Sequence, residues 1–432
     1  MILEIDALDA AGRGVARHAG KVVFVEGALT GEKVEARLLE ARPKFDRAAV
    51  TSILTSSASR RTPRCPHFGV CGGCATQHVD ARTQVAAKQR GLEDNLARIA
   101  KLTPGSMLAP IHGEEWGYRH RARLSVRYVQ GKGGALVGFR ERKSTYVADM
   151  QSCMVLPAEV SDLLVPLRIL VGGLSIRDRV PQIEVAVGDA STVLLFRHLL
   201  PFSAADEALL LRFAGEHSVQ VWLQPGGPDS ARPLQPADAQ ELSYALPEFG
   251  LGMRFGPADF TQVNPAVNRL LVSRALRLLD PQPGERVADL FCGIGNFSLP
   301  IAARGAGVIG FEGSAPLVER ARQNASANGL TAQFEVADLF QPNLAHYGRF
   351  DKFLVDPPRE GAVALCNALP AEWPRRIVYV SCDPATLARD AGILVHDKGF
   401  ELAAAGVVNM FPHTAHVESI ALFERRHNGG SE

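Results

Sequence analysis

A chain of 432 residues is too long for one ordinary core, so two or three domains are expected. With 46% hydrophobic and 22% charged residues, its composition excludes a disordered or fibrous chain. The net charge of +1 argues neither for nor against a polyanionic partner. No apolar run reaches a membrane span and "MILEIDALDAAGRG" carries no secretory pattern, so no membrane partner and a cytoplasmic location are expected.

Residues 1–56 form the first unit. Short alternating strands such as "KVVFVEGALTGEKVEARLLE", punctuated by Gly12, Gly14, Gly20, Gly27 and Gly31, suit a small antiparallel barrel. "TSSASRRTPR" reads as a linker.

Residues 57–254 form the second unit, mainly β. It opens on "CPHFGVCGGCATQ", with Cys65, Cys71 and Cys74 close together, and Cys153 is the natural fourth ligand. Four thiolates suit zinc or an iron–sulfur cluster, and the spacing alone does not choose. A helix is predicted over 81–101 from Val85, Leu92, Leu96 and Ile99. Residues 116–146 hold eight Lys/Arg against one Glu, with Trp116, Tyr118, Tyr128, Phe139 and Tyr146 interleaved. Such a local basic and aromatic segment fits an RNA surface, or else a solvated hairpin with its aromatics inside.

Residues 255–432 form the third unit, where strands and helices alternate as in an α/β fold with a mostly parallel, Rossmann-like sheet. In "RVADLFCGIGNFSLP" a strand runs into a glycine-rich turn, Gly293 and Gly295, and the next strand ends in Glu312. Glycines let backbone approach a ligand, and a carboxylate after the second strand binds ribose hydroxyls. Ser298 replaces the third glycine of the nicotinamide pattern, and Asp289 lies inside the strand. Both features suit S-adenosylmethionine, which has no pyrophosphate to cradle. "ELAAAGVVNMF" and "VESIALFERR" are expected to pair antiparallel at the sheet edge.

"FCGIGNFSLP", "VDPPREG", "VSCDPATLARD" and "FPHTAHVE" resemble, in order and spacing, the RNA (uracil-5-)-methyltransferases. The barrel and cysteines resemble the subgroup that modifies bacterial 23S ribosomal RNA. The resemblance implies a TRAM domain at the N-terminus and a 4Fe–4S cluster on Cys65, Cys71, Cys74 and Cys153, with zinc as the alternative. It implies cofactor contacts at Gln262, Phe291, Gly293, Gly295, Asn296, Glu312, Asp338 and Asp356. It implies a nucleophile at Cys382 and a base at Glu418, with His413 and His416 as other bases of suitable intrinsic pKa.

The chemistry agrees. Carbon 5 of uracil is a poor nucleophile, and a thiolate added at carbon 6 makes the ring an enolate. Arg359, after "DPP", stands where amino-group methyltransferases place an aromatic residue. The family's "SCNP" is "SCDP" here, so Asp383 is either a neutral variation or a burden on the neighbouring thiolate. Cys292 and Cys366 match no motif and are expected to be packing residues. The implied activity is methylation of one uridine of 23S rRNA, free or in a precursor ribosomal particle, by a monomer. The alternatives are the same chemistry on a transfer RNA and a non-catalytic RNA-binding assembly factor.

Overall fold

The structure is a computed structural model that describes residues 1–9 and 11–426; the short polar tail 428–432 lies outside the described residues. Segment Ile2–Leu8 pairs with Lys33–Ala41 at its start and with Gly14–His18 at its end. The six N-terminal strands therefore close on themselves around Leu3, Val23, Val25, Val34 and Ala48. The segment read as a linker is tied down. Arg60 grips the buried Glu32 with Nε at 2.6 Å from Oε1 and Nη2 at 2.8 Å from Oε2.

The central sheet runs in the order Arg232–Pro233, Gln220–Gln224, Thr192–Arg197, Gln182–Val187, Arg121–Val129, Gly134–Gly138. Helices Leu164–Gly173 and Ala204–His217 share its apolar core.

The third sheet positions the site. Its strands are β1 (Arg286–Leu290), β2 (Gly307–Glu312), β3 (Gln333–Val336), β4 (Lys352–Val355), β5 (Arg376–Ser381), β6 (Phe400–Val408) and β7 (Glu418–Arg425). They lie in the order β3-β2-β1-β4-β5-β7-β6, with β7 antiparallel to both neighbours. The expected β6–β7 pair is present, but Ser106–Met107 from the second unit lies beyond β6. Successive residues of a strand face opposite sides. Val378 and Val380 pack beneath helix Pro265–Leu279, while Ile377 and Tyr379 pack against helix Pro384–Gly392. A sheet covered on both faces presents its ligand crevice at the strands' carboxyl ends.

Two segments assigned to the second unit contribute to this core. Hairpin Leu242–Leu246/Leu251–Phe255 packs on one face. Helix Ala81–Asn95 with its π-turn Leu96–Ala100 packs on the other. The helix buries Leu92 and Leu96 as the apolar pattern indicated, but its inner face also takes in Gln84 and Lys88, while Val85 is half-buried and Ile99 exposed.

Candidate active site

The chain leaves β1 through Phe291 at φ +66°, then Gly293 at +55° and Gly295 at +91°. A phenylalanine in the left-handed region is strained, and such strain persists only where surroundings enforce it. Here the N–H groups of Phe291 and Cys292 both donate to the Phe311 carbonyl, at 2.9 and 3.0 Å. Glu312, at the end of β2, accepts from the N–H of Gly293 at 3.2 Å and of Ser314 at 3.0 Å. The carboxylate is thereby fixed, with lone pairs left over for a diol.

A cavity of about 570 Å³ opens at the carboxyl ends of β1, β2, β4 and β5. Gln262, Phe291, Gly293, Asn296, Glu312, Asp338 and Asp356 line it, and so do Cys382 and Glu418. Gly295 does not. It sits behind the wall, where a Cβ would come within 3.4 Å of Leu299 and 3.6 Å of Phe334. The Asn296 amide is already engaged: its oxygen accepts from Tyr244 and Asn268, and its nitrogen donates to Asn268. Exposed Phe260 and Phe340 flank the mouth, a feature the motifs did not reveal. An elongated cavity with a fixed carboxylate and aromatic walls fits an adenosyl cofactor.

Asp383 caps helix Pro384–Gly392, accepting from the N–H of Ala385 at 2.9 Å and of Thr386 at 3.2 Å. Arg359 lies 4.0 Å from its other oxygen. Its charge is thus shared with a helix terminus and a guanidinium. Cys382 projects just before this cap. Burial, then Glu418 and Asp356, pushes its thiol up to about 11, and Arg359 works in the opposite direction.

Glu418 is buried, and its carboxyl is pushed up to about 8 by desolvation and then by Asp356, with Lys88 opposing. Burial alone takes Asp356 to about 7. His416 Nε2 lies 3.9 Å from Glu418 Oε1, and burial lowers its pKa. His413 does not reach the cavity. It is 2% exposed, stacks on Trp116 with ring centroids 4.0 Å apart, and burial drops its pKa to about 4. Its carbonyl accepts from the N–H of Ala75 and Thr76 at 2.8 and 3.0 Å, beside Cys74. Cys366 lies in the core as expected; Cys292 is buried but also lines the cavity.

Cys65, Cys71, Cys74 and Cys153 line one small cavity, and all four are free thiols. Among the described residues no three His, Cys, Asp or Glu close around a single ion. The donor set, four thiols facing one space, suits a group that takes one iron per sulfur.

The basic segment divides. Trp116, Tyr118, Tyr128 and Phe139 pack into or against the central core, while Tyr146 is exposed. Arg121 faces inward, with Nη2 donating to the Asp259 carbonyl at 2.6 Å. Arg119, Arg140, Arg142 and Lys143, with Glu141 among them, line a groove of about 550 Å³ beside Gly72 and Gly73, while the exposed Arg123 and Arg127 lie outside it.

Three family descriptions match the chain: "TRAM domain" over 3–51, "Methyltransferase domain" over 287–356 and "tRNA (Uracil-5-)-methyltransferase" over 330–426. A protein of Aromatoleum aromaticum named 23S rRNA (uracil(1939)-C(5))-methyltransferase RlmD is 60% identical over 427 residues, 98% of this chain and 99% of that one. The chain belongs to this RNA (uracil-5-)-methyltransferase family. A Nitrosospira multiformis relative of the same name is 59% identical, with 98% of each chain covered. The fold of this RNA (uracil-5-)-methyltransferase is also that of the Pyrococcus abyssi tRNA (uracil-54, C5)-methyltransferase solved with S-adenosyl-L-homocysteine. The TM-score is 0.76 at 23% identity, over 98% of this chain and 99% of that one. As a family member the chain is an enzyme that methylates RNA with S-adenosylmethionine.

Proposed function

We propose that this enzyme methylates carbon 5 of a uridine in 23S rRNA, the one its relatives' names number 1939. One observation carries the mechanism: a single cavity holds the Cys382 thiol, the buried Glu418 carboxyl and the cofactor-type loop. When bound, S-adenosylmethionine supplies an electrophilic methyl group beside a sulfonium charge. Gln262, Phe291, Gly293, Glu312, Asp338 and Asp356 would hold it, with Asn296 in the wall and its amide bonded to Tyr244 and Asn268.

The Cys382 thiol gives its proton to water, and its sulfur bonds to carbon 6 of the ring. The carbon 5–carbon 6 π electrons move onto the carbonyl as an enolate. Carbon 5 then takes the methyl group. Glu418 removes the remaining hydrogen from carbon 5, and the returning electrons break the carbon–sulfur bond and free the thiolate. Arg359 is the charged neighbour that favours the thiolate at the start.

The segments 1–56, 57–254 and 255–432 act as RNA-binding barrel, cluster-bearing RNA-binding unit and catalytic unit of a monomer. Cys65, Cys71, Cys74 and Cys153 hold a 4Fe–4S cluster, with zinc as the alternative, in a structural role. The substrate is 23S rRNA or a precursor particle.

Methyl-labelled cofactor and total RNA from a strain lacking this gene test the reading. Glu418→Gln is expected to transfer one methyl group and stall as a labelled protein–RNA band on a denaturing gel. Cys382→Ala is expected to give neither band nor methylated RNA. Turnover by Cys382→Ala overturns the mechanism, and label on transfer RNA instead of 23S rRNA overturns the substrate.

A further inference from the structure

We propose that Lys88 is a positioning residue for the base Glu418, fixing the loop that carries it and supplying the positive charge that faces it. The inference rests on the assignment of Glu418 as the base. Lys88 lies on the inner face of helix Ala81–Asn95 and is 6% exposed. A buried ammonium is costly unless its protons are taken up by acceptors. Here Nζ donates to Asn409 Oδ1 and to the Phe411 carbonyl, each at 2.8 Å. Both acceptors lie more than 300 positions away in sequence, in the connection between β6 and β7.

That connection is what places the base. Val408 is the last residue of β6 and pairs with Glu418, the first residue of β7. Residues 409–417 bulge out between them as a loop, and a loop of this length is mobile unless anchored. Lys88 anchors its entry. One turn earlier on the helix, Gln84 anchors its middle, with Oε1 accepting from the His413 N–H at 2.9 Å. Tyr118 adds a bond from its hydroxyl to the Pro412 carbonyl at 3.0 Å. Helix and loop thus form one unit, and Lys88 is the cation among the side chains that join them.

The charged and titratable groups facing Glu418 come from each surrounding element. Asp356 comes from the end of β4, Cys382 from the end of β5, His416 from the loop and Lys88 from the helix. Asp356 opposes ionisation of Glu418, and Lys88 favours it. Burial lowers Lys88 itself to about 7, and the charge of Glu418 works against that fall. Losing the ammonium leaves Glu418 protonated to higher pH. Carbon–sulfur bond formation and methyl transfer do not need that base, whereas release does.

The test is single-turnover methylation by Lys88→Met, with labelled cofactor and 23S rRNA, followed on denaturing gels from pH 6 to 9.5. The labelled adduct is expected to form within about threefold of the wild-type rate. It is expected to resolve about tenfold more slowly at pH 7, with the midpoint of the release profile displaced upward and the rates converging at high pH. An unchanged release profile overturns the proposal. A loss of equal size in adduct formation and release at every pH also overturns it, because a packing role alone produces that. Lys88→Gln keeps the hydrogen bond to the loop without the charge. It is measured in parallel and must show the same displaced midpoint, so the proposal stays falsifiable if the methionine variant does not fold. If Glu418→Gln releases product at the normal rate in the same assay, the base assignment has failed, whatever Lys88 does.

Discussion

The hydroxyl of Ser298 donates to Oδ2 of Asp289 at 2.5 Å, inside the wall of the cofactor cavity. Ser298 occupies the position of the third glycine of a dinucleotide loop, and this bond is what it does there. Asp289 is fully buried, and its other oxygen has no hydrogen-bond partner among the described residues. Ser298→Ala or Ser298→Gly would remove the hydroxyl that donates to this buried carboxyl. Loss of such a partner costs about 1–3 kcal/mol. Denaturant titration is expected to show that loss, with cofactor affinity reduced because Asp289 sits directly under the glycine-rich turn. Asp289→Asn in the Ser298→Ala background should recover part of it.

Stability should depend on pH in a defined direction. Burial raises Asp289 and Asp356 to about 7 and Glu418 to about 8. The folded chain therefore binds more protons than the unfolded chain between the ordinary carboxylate range and pH 8. Stability from these groups is complete on the acid side of that window and is lost as pH rises through 7 to 8. Asp206 works the other way, because its hydrogen bonds with Ser175 and Ser203 outweigh burial and hold it at about 2. The Tm of the free enzyme is expected to peak on the mildly acid side and fall by pH 8.5. Glu418→Gln should flatten the fall, and an equal fall in that variant contradicts the assignment.

RNA affinity should map to the groove cations and not to the whole basic segment. Arg140→Ala with Arg142→Ala removes two exposed charges. The slope of log affinity against log salt should flatten by roughly 1–2. Arg121→Ala should instead lower the Tm with little change in slope, because Arg121 is tied to the Asp259 carbonyl.

Protein prepared without oxygen is expected to be brown and to carry about four iron atoms per chain. Stoichiometric zinc without iron would contradict the cluster. Cys74→Ser should lose the metal. It should also speed amide exchange in residues 409–417, since Ala75 and Thr76 hold the His413 carbonyl. Normal exchange there would show that the cysteine loop and the base loop are independent.

The motif residues were legible because each needs a particular atom at a particular strand end. The turn at Gly293 and the acid at Glu312 follow from what a close backbone approach and a ribose demand. The thiol at Cys382 follows from the inertness of carbon 5. The mostly parallel sheet and the antiparallel pairing of the last two strands were legible too, whereas the strand order, and Ser106–Met107 beyond that pair, were not.

What sequence alone determined was therefore local: which residues stand at the carboxyl ends of the strands, and the chemistry they permit. Tertiary structure decided the partners. In the helix expected over 81–101 the sequence marked apolar residues and not Lys88, and Arg121 falls in the segment read as an RNA surface. Each is buried because its acceptors, at Asn409, Phe411 and Asp259, arrive from distant parts of the chain. A buried cation is tolerated only where such acceptors meet it. Periodicity records the preference of a side chain for water and contains nothing about acceptors that folding brings from elsewhere.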